Sequence, residues 1–463
     1  QGGGRAVLAS PGSRFELRAS LTDFSGPVEL RGHDTIHATR CTFAGNAPHA
    51  LAGAEARGAL LGSGAGGVQP VVEGTGLEVV PTAPELQPLP PFGVDRDKDW
   101  NRVRRPAKAR LFNVRDPQFA GGAKGDGSHD DSTAVHAALK AAQGNGGGIV
   151  FFPSGYYRVR GSFDAGEGVE FRGAAGARHA AGTGATEATD QLLSVIVVEP
   201  TRGGLDGPPL LTLGDSSGVR GLSFFYPQQN WKRLLNDHAP LDSLPFTIVS
   251  RGRGTYVIDS TSPDPDQFVH FQGARDFLVE GCLLGGTRTV FRIGDGAAGG
   301  RIQNCHVKPS GFWGGLTDIP NTAEDRGRYG DEVAKQLVVF DLGDCSDITL
   351  VGVFGRTARR LFSASGAAGR AILIGGEVLQ NGYVFEREGR DPFHLVACDA
   401  NLGMHGDGTG KHSILLQPGF HGTVHAFGGC DMGTADYVAR VLGGRLVTQQ
   451  RGTSTAGYRA PRG

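Results

Sequence analysis

The sequence predicts an all-β solenoid of stacked strands entered through one capping helix, and three observations carry that prediction. Residues 110–160 run as a short apolar strand, a Gly-Asp-Gly loop, a helix opened by acidic and hydroxyl residues, a glycine run and a second strand ending in Pro-Ser-Gly-Tyr-Tyr. Glycine supplies 76 of 463 residues and tryptophan only 3, the balance of many tight turns and stacked small residues rather than one large aromatic core. Cysteines at 282 and 305, each closing a strand-like run, are 305 − 282 = 23 residues apart, about one coil.

The helix comes first. Asp130, Asp131 and Ser132 precede Ala134, Val135, Ala138, Leu139 and Ala142, so they are expected to satisfy its first N–H groups while the i, i+3, i+4 spacing makes one apolar face. Gly144, Gly146, Gly147 and Gly148 end it, and Ile149 to Phe152 form an apolar run bounded by Pro153, as in a strand buried on both sides. So short a helix is marginal alone and needs a surface such as the open end of a solenoid.

Ala123, Lys124, Gly125, Asp126, Gly127, Asp130, Asp131, Ser132, Gly146, Gly147, Gly148, Phe152, Pro153, Gly155 and Tyr156 resemble, in order, the amino-terminal motif of pectate lyase superfamily proteins related to glycoside hydrolase family 28. The resemblance implies a right-handed parallel β-helix with an N-terminal capping α-helix. It does not choose among hydrolases, lyases, epimerases and tailspikes, which share that architecture. A second stretch, Gly221, Leu222, Phe224, Tyr226, Pro227 and Gln229, resembles a segment of bacterial members of the superfamily.

Two regions are expected: an N-terminal β-rich segment with a proline-rich linker over 1–95, packed on or continuous with the solenoid, and the parallel β-helix over 96–463. The first carries strand signals at Phe15–Arg18, Val28–Leu30 and Val71–Glu73, which read as extra coils or a small β appendage. Prolines 81, 84, 88, 90 and 91 cannot continue a ladder and mark the linker. Polar insertions at 173–191, 226–246 and 309–335 are expected to wall a groove.

A balance of 46 basic against 47 acidic residues gives no electrostatic case for nucleic acid or an anionic membrane. No apolar run reaches the ~18 residues of a membrane span. No charged-then-apolar leader is read in the sequence, a start at Gln1 fits a removed leader and an engineered start equally, and the secreted or periplasmic location expected here goes with the carbohydrate-active reading below. Cysteines 41, 282, 305, 345, 398 and 430 contain no CxxC pair, which argues against zinc and for stacked inward thiols. The phosphate-loop, GxSxG and HExxH patterns are missing.

A groove beside a sheet suits a linear poly- or oligosaccharide, the expected partner. Trp231, Trp313, Tyr226, Phe312 and Tyr329 are aromatics in or beside the insertions that could carry sugar rings, with Arg356 and His405 as polar contacts. Glycosidic hydrolysis needs two carboxyls flanking the bond. Candidates are Asp341, Asp344 and Asp347 in VVFDLGDCSDITL, Glu377, and Asp399. Asp344 and Glu377 are 33 apart and Glu377 and Asp399 are 22 apart, each read as about one coil. Asp126, Asp130 and Asp131 read as loop and cap residues. The expected activity is glycoside hydrolysis with Asp344, Glu377, Asp399 and Asp341 catalytic and no cofactor. The alternatives are a polysaccharide lyase, with Lys232, Arg233, His238 or the Arg356, Arg359, Arg360 cluster as cations and Ca²⁺ as a possible aid, and a non-catalytic glycan-binding solenoid.

Overall fold

The structure, a computed structural model, describes residues 106, 108–174, 193–199, 204–229, 241–263, 265–307, 333, 335–355, 358–374, 377–378, 383–398, 412–427, 437–442 and 444–448, together with ten short strands between 7 and 80. The chain divides into two compact units, 1–96 and 97–463.

The first unit is itself a short solenoid. Glu16–Ser20, Thr35–Thr39, Arg57–Leu61 and Gly76–Val80 stack in parallel register. Val7–Leu8 on Val28–Glu29, Asp23–Phe24 on Thr42–Phe43, and Leu51–Ala52 on Val72–Glu73 accompany them.

In the second unit each coil supplies a strand to three parallel stacks. Sheet A contains Val169–Gly173, Gly218–Arg220, Tyr256–Ile258, Leu278–Glu280, Arg301–Gln303 and Ile348–Val351. Sheet B contains Gly155–Arg160, Ser194–Glu199, Ser223–Phe225, Thr261–Ser262, Leu283–Leu284, His306–Val307, Phe354–Gly355 and Glu377–Val378. Sheet C contains Leu211–Leu213, Phe246–Ser250, Gln267–Gln272, Thr289–Gly294 and Val338–Leu342. Arg360–Ile374 runs through the C-to-A corner, pairing with Val338–Leu342 at one end and Ile348–Val351 at the other. The chain is a parallel β-helix.

Its corners explain much of the glycine. Between sheets A and B one residue per coil takes a left-handed conformation: Gly221 (φ 65°), Asp259 (48°), Gly281 (64°), Asn304 (52°) and Gly352 (58°). Gly, Asn and Asp are the residues that tolerate it. Their N–H groups bond up the stack, Gly221 to Ile258 O at 3.0 Å and Asn304 to Val351 O at 2.9 Å. The C-to-A corner repeats the device at Ser216, Gly254, Asp276, Gly299 and Asp347, which makes Asp347 a corner residue.

Inward positions fill with aromatic and branched side chains. Phe271 stacks on Phe277 at 3.8 Å and Phe291 on Phe340 at 5.0 Å, each buried ring contributing on the order of 2 kcal/mol. Cys282 and Cys305 fall two residues after the register pair Glu280 and Gln303, so they sit one coil apart as expected, buried and free. Cys345 is also free, and burial pushes its thiol pKa up.

The helix spans Ser132–Gly144 and buries Ala134, Val135, Ala138, Leu139 and Ala142. Its start differs from expectation. Asp131 makes no side-chain cap; its buried carboxylate accepts from Lys124 N at 2.7 Å and Gly125 N at 3.0 Å, clamping the preceding loop. Asp130 serves the helix instead, accepting from Ser132 N at 3.1 Å, and Ser132 Oγ accepts from Arg160 N at 2.7 Å. Among the described residues no helix is long and apolar enough to cross a membrane.

Candidate functional site

Two of the long insertions enter the same sheet. Residues 226–245 lead into Phe246–Ser250 and residues 308–337 into Val338–Leu342, both on sheet C, whereas 174–193 lies between sheets A and B. Both sheet C insertions therefore leave a sheet B strand and return to the chain at the first residue of a sheet C strand.

Strand alternation places polar groups on the outward face of sheet C. Val269, Phe271, Phe291, Ile293, Phe340 and Leu342 are buried, and the residue between each pair is exposed or half-exposed: His270, Arg292 and Asp341. These three are in register, and Ser363 follows Asp341, so they form a row with steps of ~4.8 Å. In the neighbouring row Gln272 pairs with Gly294, and Gly343 N bonds to Ile293 O at 2.8 Å.

Gly294 and Gly343 leave a notch. A Cβ on Gly343 would meet nothing nearer than Gly294 Cα at 3.6 Å, and one on Gly294 nothing nearer than Gly343 Cα at 3.8 Å. Neither takes a left-handed φ, so backbone conformation does not require glycine at either. Glycine in a strand interior often marks a place where a ligand or another backbone comes close. Asp295 and Asp344 continue the chain just past the notch, and their turns are joined by Gly296 N to Asp344 O at 2.8 Å.

Electrostatics distinguish the imidazole. His270 Nε2 is buried without a hydrogen bond, 3.4 Å from Asp295 Oδ2. Burial first, then the positive charge of Arg292, lowers its pKa to about 4, with Asp295 opposing and Arg251 assisting. At neutral pH it is uncharged, a base beside an acid that can orient it.

Of the expected catalytic residues, Asp341 and Asp344 lie here, in and just past Val338–Leu342. Glu377 does not: its strand belongs to sheet B, in register with Phe354. The coil there is 377 − 354 = 23 residues long, so the 33-residue step from Asp344 overshoots a coil and lands on another face. The register of Ile374 on Cys398 gives a coil of 398 − 374 = 24 residues where 22 was assumed. Asp399, Trp231, Trp313, Arg356 and His405 lie outside the described residues, as do Phe312, Tyr329, Lys232, Arg233 and His238.

Tyr226 corrects an expectation. It is 3% exposed, and its hydroxyl lies 2.6 Å from Thr247 Oγ1, so its ring packs in the interior instead of offering a face to sugar. Its polar tip found a partner in a distant strand, as buried tyrosines do. Asp126, Asp130 and Asp131 are loop and cap residues as expected; the N–H groups of His129 and Ser128 hold the Asp126 carboxyl down at about 2.

His270, Arg292 and Asp295 were not anticipated. The signal was a polar residue at the centre of Val-His-Phe, Phe-Arg-Ile and Phe-Asp-Leu triplets in successive sheet C strands. Among the described residues no three His, Cys, Asp or Glu side chains converge to hold a metal ion.

Residues 111–200 match the family model described as rhamnogalacturonase A/epimerase, pectate lyase-like. That match covers the capping helix and the first coils of the solenoid. Alginate lyase 7 of Azotobacter vinelandii is 53% identical over 57 residues, 12% of this chain and 6% of that protein. Mannuronan C5-epimerase AlgE3 of the same organism is 48% identical over 61 residues, 13% of this chain and 3% of that protein. The chain thus matches only a small part of these relatives' length. Among solved structures, an endo-xylogalacturonan hydrolase from Aspergillus tubingensis is 13% identical over 73% of this chain and 91% of its own, with a TM-score of 0.45. The Streptococcus pneumoniae surface adhesin PfbA is 12% identical over 69% and 79%, with a TM-score of 0.41.

Proposed function

We propose that the chain is a carbohydrate-active enzyme, a glycoside hydrolase that cleaves an acidic poly- or oligosaccharide laid across the sheet C notch. The supporting observation is the placement of Asp295, Asp341 and Asp344 at and just past the ends of two adjacent sheet C strands, beside Gly294 and Gly343. One carboxyl delivers its proton to the glycosidic oxygen as the anomeric C–O bond breaks. A second, ionised, takes a proton from the water that bonds to the anomeric carbon. Arg292, in the same row, pairs with a uronate carboxylate. Trp231, Trp313, Arg356 and His405 remain proposed sugar contacts and Asp399 a proposed acid, and a secreted or periplasmic site of action goes with such a substrate.

The test is a panel of polygalacturonate, alginate and neutral glucans, with reducing ends and absorbance near 235 nm followed together, the wavelength region of the unsaturated uronate left by elimination. Reducing ends without absorbance support hydrolysis. Binding without new ends would instead favour a glycan-binding solenoid.

A second reading, β-elimination or epimerisation, is favoured by neutral His270. It could take the proton beside a uronate carboxylate that Arg292 neutralises, and the relatives named an alginate lyase and a C5-epimerase agree with such a substrate. Absorbance rising with reducing ends, and lost in His270→Ala, would select elimination.

A further inference from the structure

Two thiols meet in the interior of the solenoid at the corner between sheets A and B. Cys282 and Cys305 directly follow the left-handed corner residues Gly281 and Asn304. The equivalent position is Ser260 one coil earlier and Val353 one coil later. Each polar member of this stack donates to the carbonyl two residues before it: Ser260 Oγ to Ile258 O at 2.9 Å, Cys282 Sγ to Glu280 O at 3.4 Å and Cys305 Sγ to Gln303 O at 3.3 Å. The local geometry therefore repeats from coil to coil, and the Cys305 thiol is a hydrogen-bond neighbour of the Cys282 thiol.

The register is held on both sides of the pair. Glu280 faces Gln303 before it and Leu283 faces His306 after it, while His306 N bonds to Cys282 O at 2.9 Å. Adjacent strands in register lie ~4.8 Å apart, inside the ~4.4–6.8 Å Cα range of a disulfide and only slightly beyond the ~4.5 Å upper end of its Cβ range. One buried cysteine would be a small hydrophobe and nothing more. Two in contact, both free and only 2% and 1% exposed, have a reaction open to them that the serine and valine of the same stack lack. The chain between them is one whole coil, which includes Thr289–Gly294 of sheet C and Arg301–Gln303 of sheet A.

We propose that Cys282 and Cys305 form a disulfide when the chain folds under oxidising conditions, a covalent staple that closes the coil carrying Arg292, Gly294 and Asp295. The thiolate of one displaces half of a small disulfide such as oxidised glutathione, and the thiolate of the other attacks the resulting mixed disulfide and releases the second half. The two protein thiols give up two protons and two electrons, and the oxidant becomes two thiols. This exchange belongs to folding, because in the finished solenoid burial first, then the Cys305 thiol, pushes the Cys282 thiol pKa far up and leaves almost no thiolate to react. A secreted or periplasmic chain, as in the proposed function, meets such oxidants; the site itself does not depend on that reading.

The test starts from the full chain unfolded in urea with reductant and refolded with either oxidised glutathione or dithiothreitol. Free thiols are then blocked with N-ethylmaleimide in denaturant and the peptides mapped by mass spectrometry. A peptide pair linked through 282 and 305 is expected only after oxidative refolding, with a melting midpoint ~5 °C higher for a closed loop of this size. Blocked thiols at both positions after oxidative refolding overturn the inference, and so does a link from either to a different cysteine. A linked chain that melts no higher than the reduced one overturns the staple. Cys282→Ala/Cys305→Ala should melt alike from both conditions, and a redox-dependent midpoint that persists in it counts against the pair. Expression into an oxidising or a reducing compartment repeats the comparison without refolding. Turnover is not read, so the outcome is separate from the fate of the sheet C reading.

Discussion

The outward faces of sheets A and C are built from the same strand grammar yet end in opposite states. On sheet A the glycine at 218 is roofed by the Tyr256 ring, and Glu170, which accepts from its hydroxyl, is wholly buried. On sheet C a Cβ at Gly294 or Gly343 would meet only ordinary contacts among the described residues, and the acids around them are exposed or half-exposed. A glycine in an outward row is thus either a place the chain fills itself or a place left for another molecule. The surroundings of its missing Cβ tell which.

The largest expected effect tests the open side. Asp341→Asn and Asp344→Asn should each lower kcat by ~10² to 10⁴, the range for a lost proton-transfer group, with unfolding midpoints little changed because both sites are at the surface. Glu377→Gln, on sheet B, is the control and should keep its turnover. Full activity in both aspartate variants would close the notch as an active site.

The filled side should respond in stability. Glu170→Ala removes the buried acid beside two arginines in register, Arg172 and Arg220, and breaking a buried pair costs ~3–5 kcal/mol. Urea midpoints measure it, and a loss below about 1 kcal/mol would mean that the cluster is solvated in solution.

His270 links the open side to pH. Its pKa is about 4 in the fold against 6.5 for an unperturbed histidine, so between those values the unfolded chain binds more protons and stability rises with pH. The contribution, up to ~3 kcal/mol, is complete above about pH 6.5 and is lost as pH falls through 4. His270→Gln should flatten that acid limb. An unchanged limb would show that the imidazole is not desolvated.

How much of this was legible in the sequence depends on how local the cause is. The capping motif, the Cys282 and Cys305 stack and the polar ends at Asp341 and Asp344 were readable because each depends on neighbours in the chain or on one coil step. Glu377 was misplaced because a residue count does not say which corner the chain has turned. Tyr226 was misread because its partner, Thr247, is 21 residues on, across an insertion. His270 and Arg292 were passed over because carboxylates at strand ends were sought, while the signal was a polar residue in the middle of buried triplets.

The smallest effect cuts closest to the comparison. A Cβ on Gly218 would fall on the Tyr256 ring, 2.6 Å from Cγ, so Gly218→Ala must push the ring off Glu170 at ~1–3 kcal/mol. Gly343→Ala meets only ordinary contacts and should stay within about 0.5 kcal/mol of the parent, while a methyl in the notch raises KM for the polymer. Thermal melts of the pair, with KM for the second, measure both. Equal melting losses would mean that sheet C is roofed as sheet A is. An unchanged KM beside a stable fold would mean that substrate does not lie on the glycines, because no other described residue fills that space.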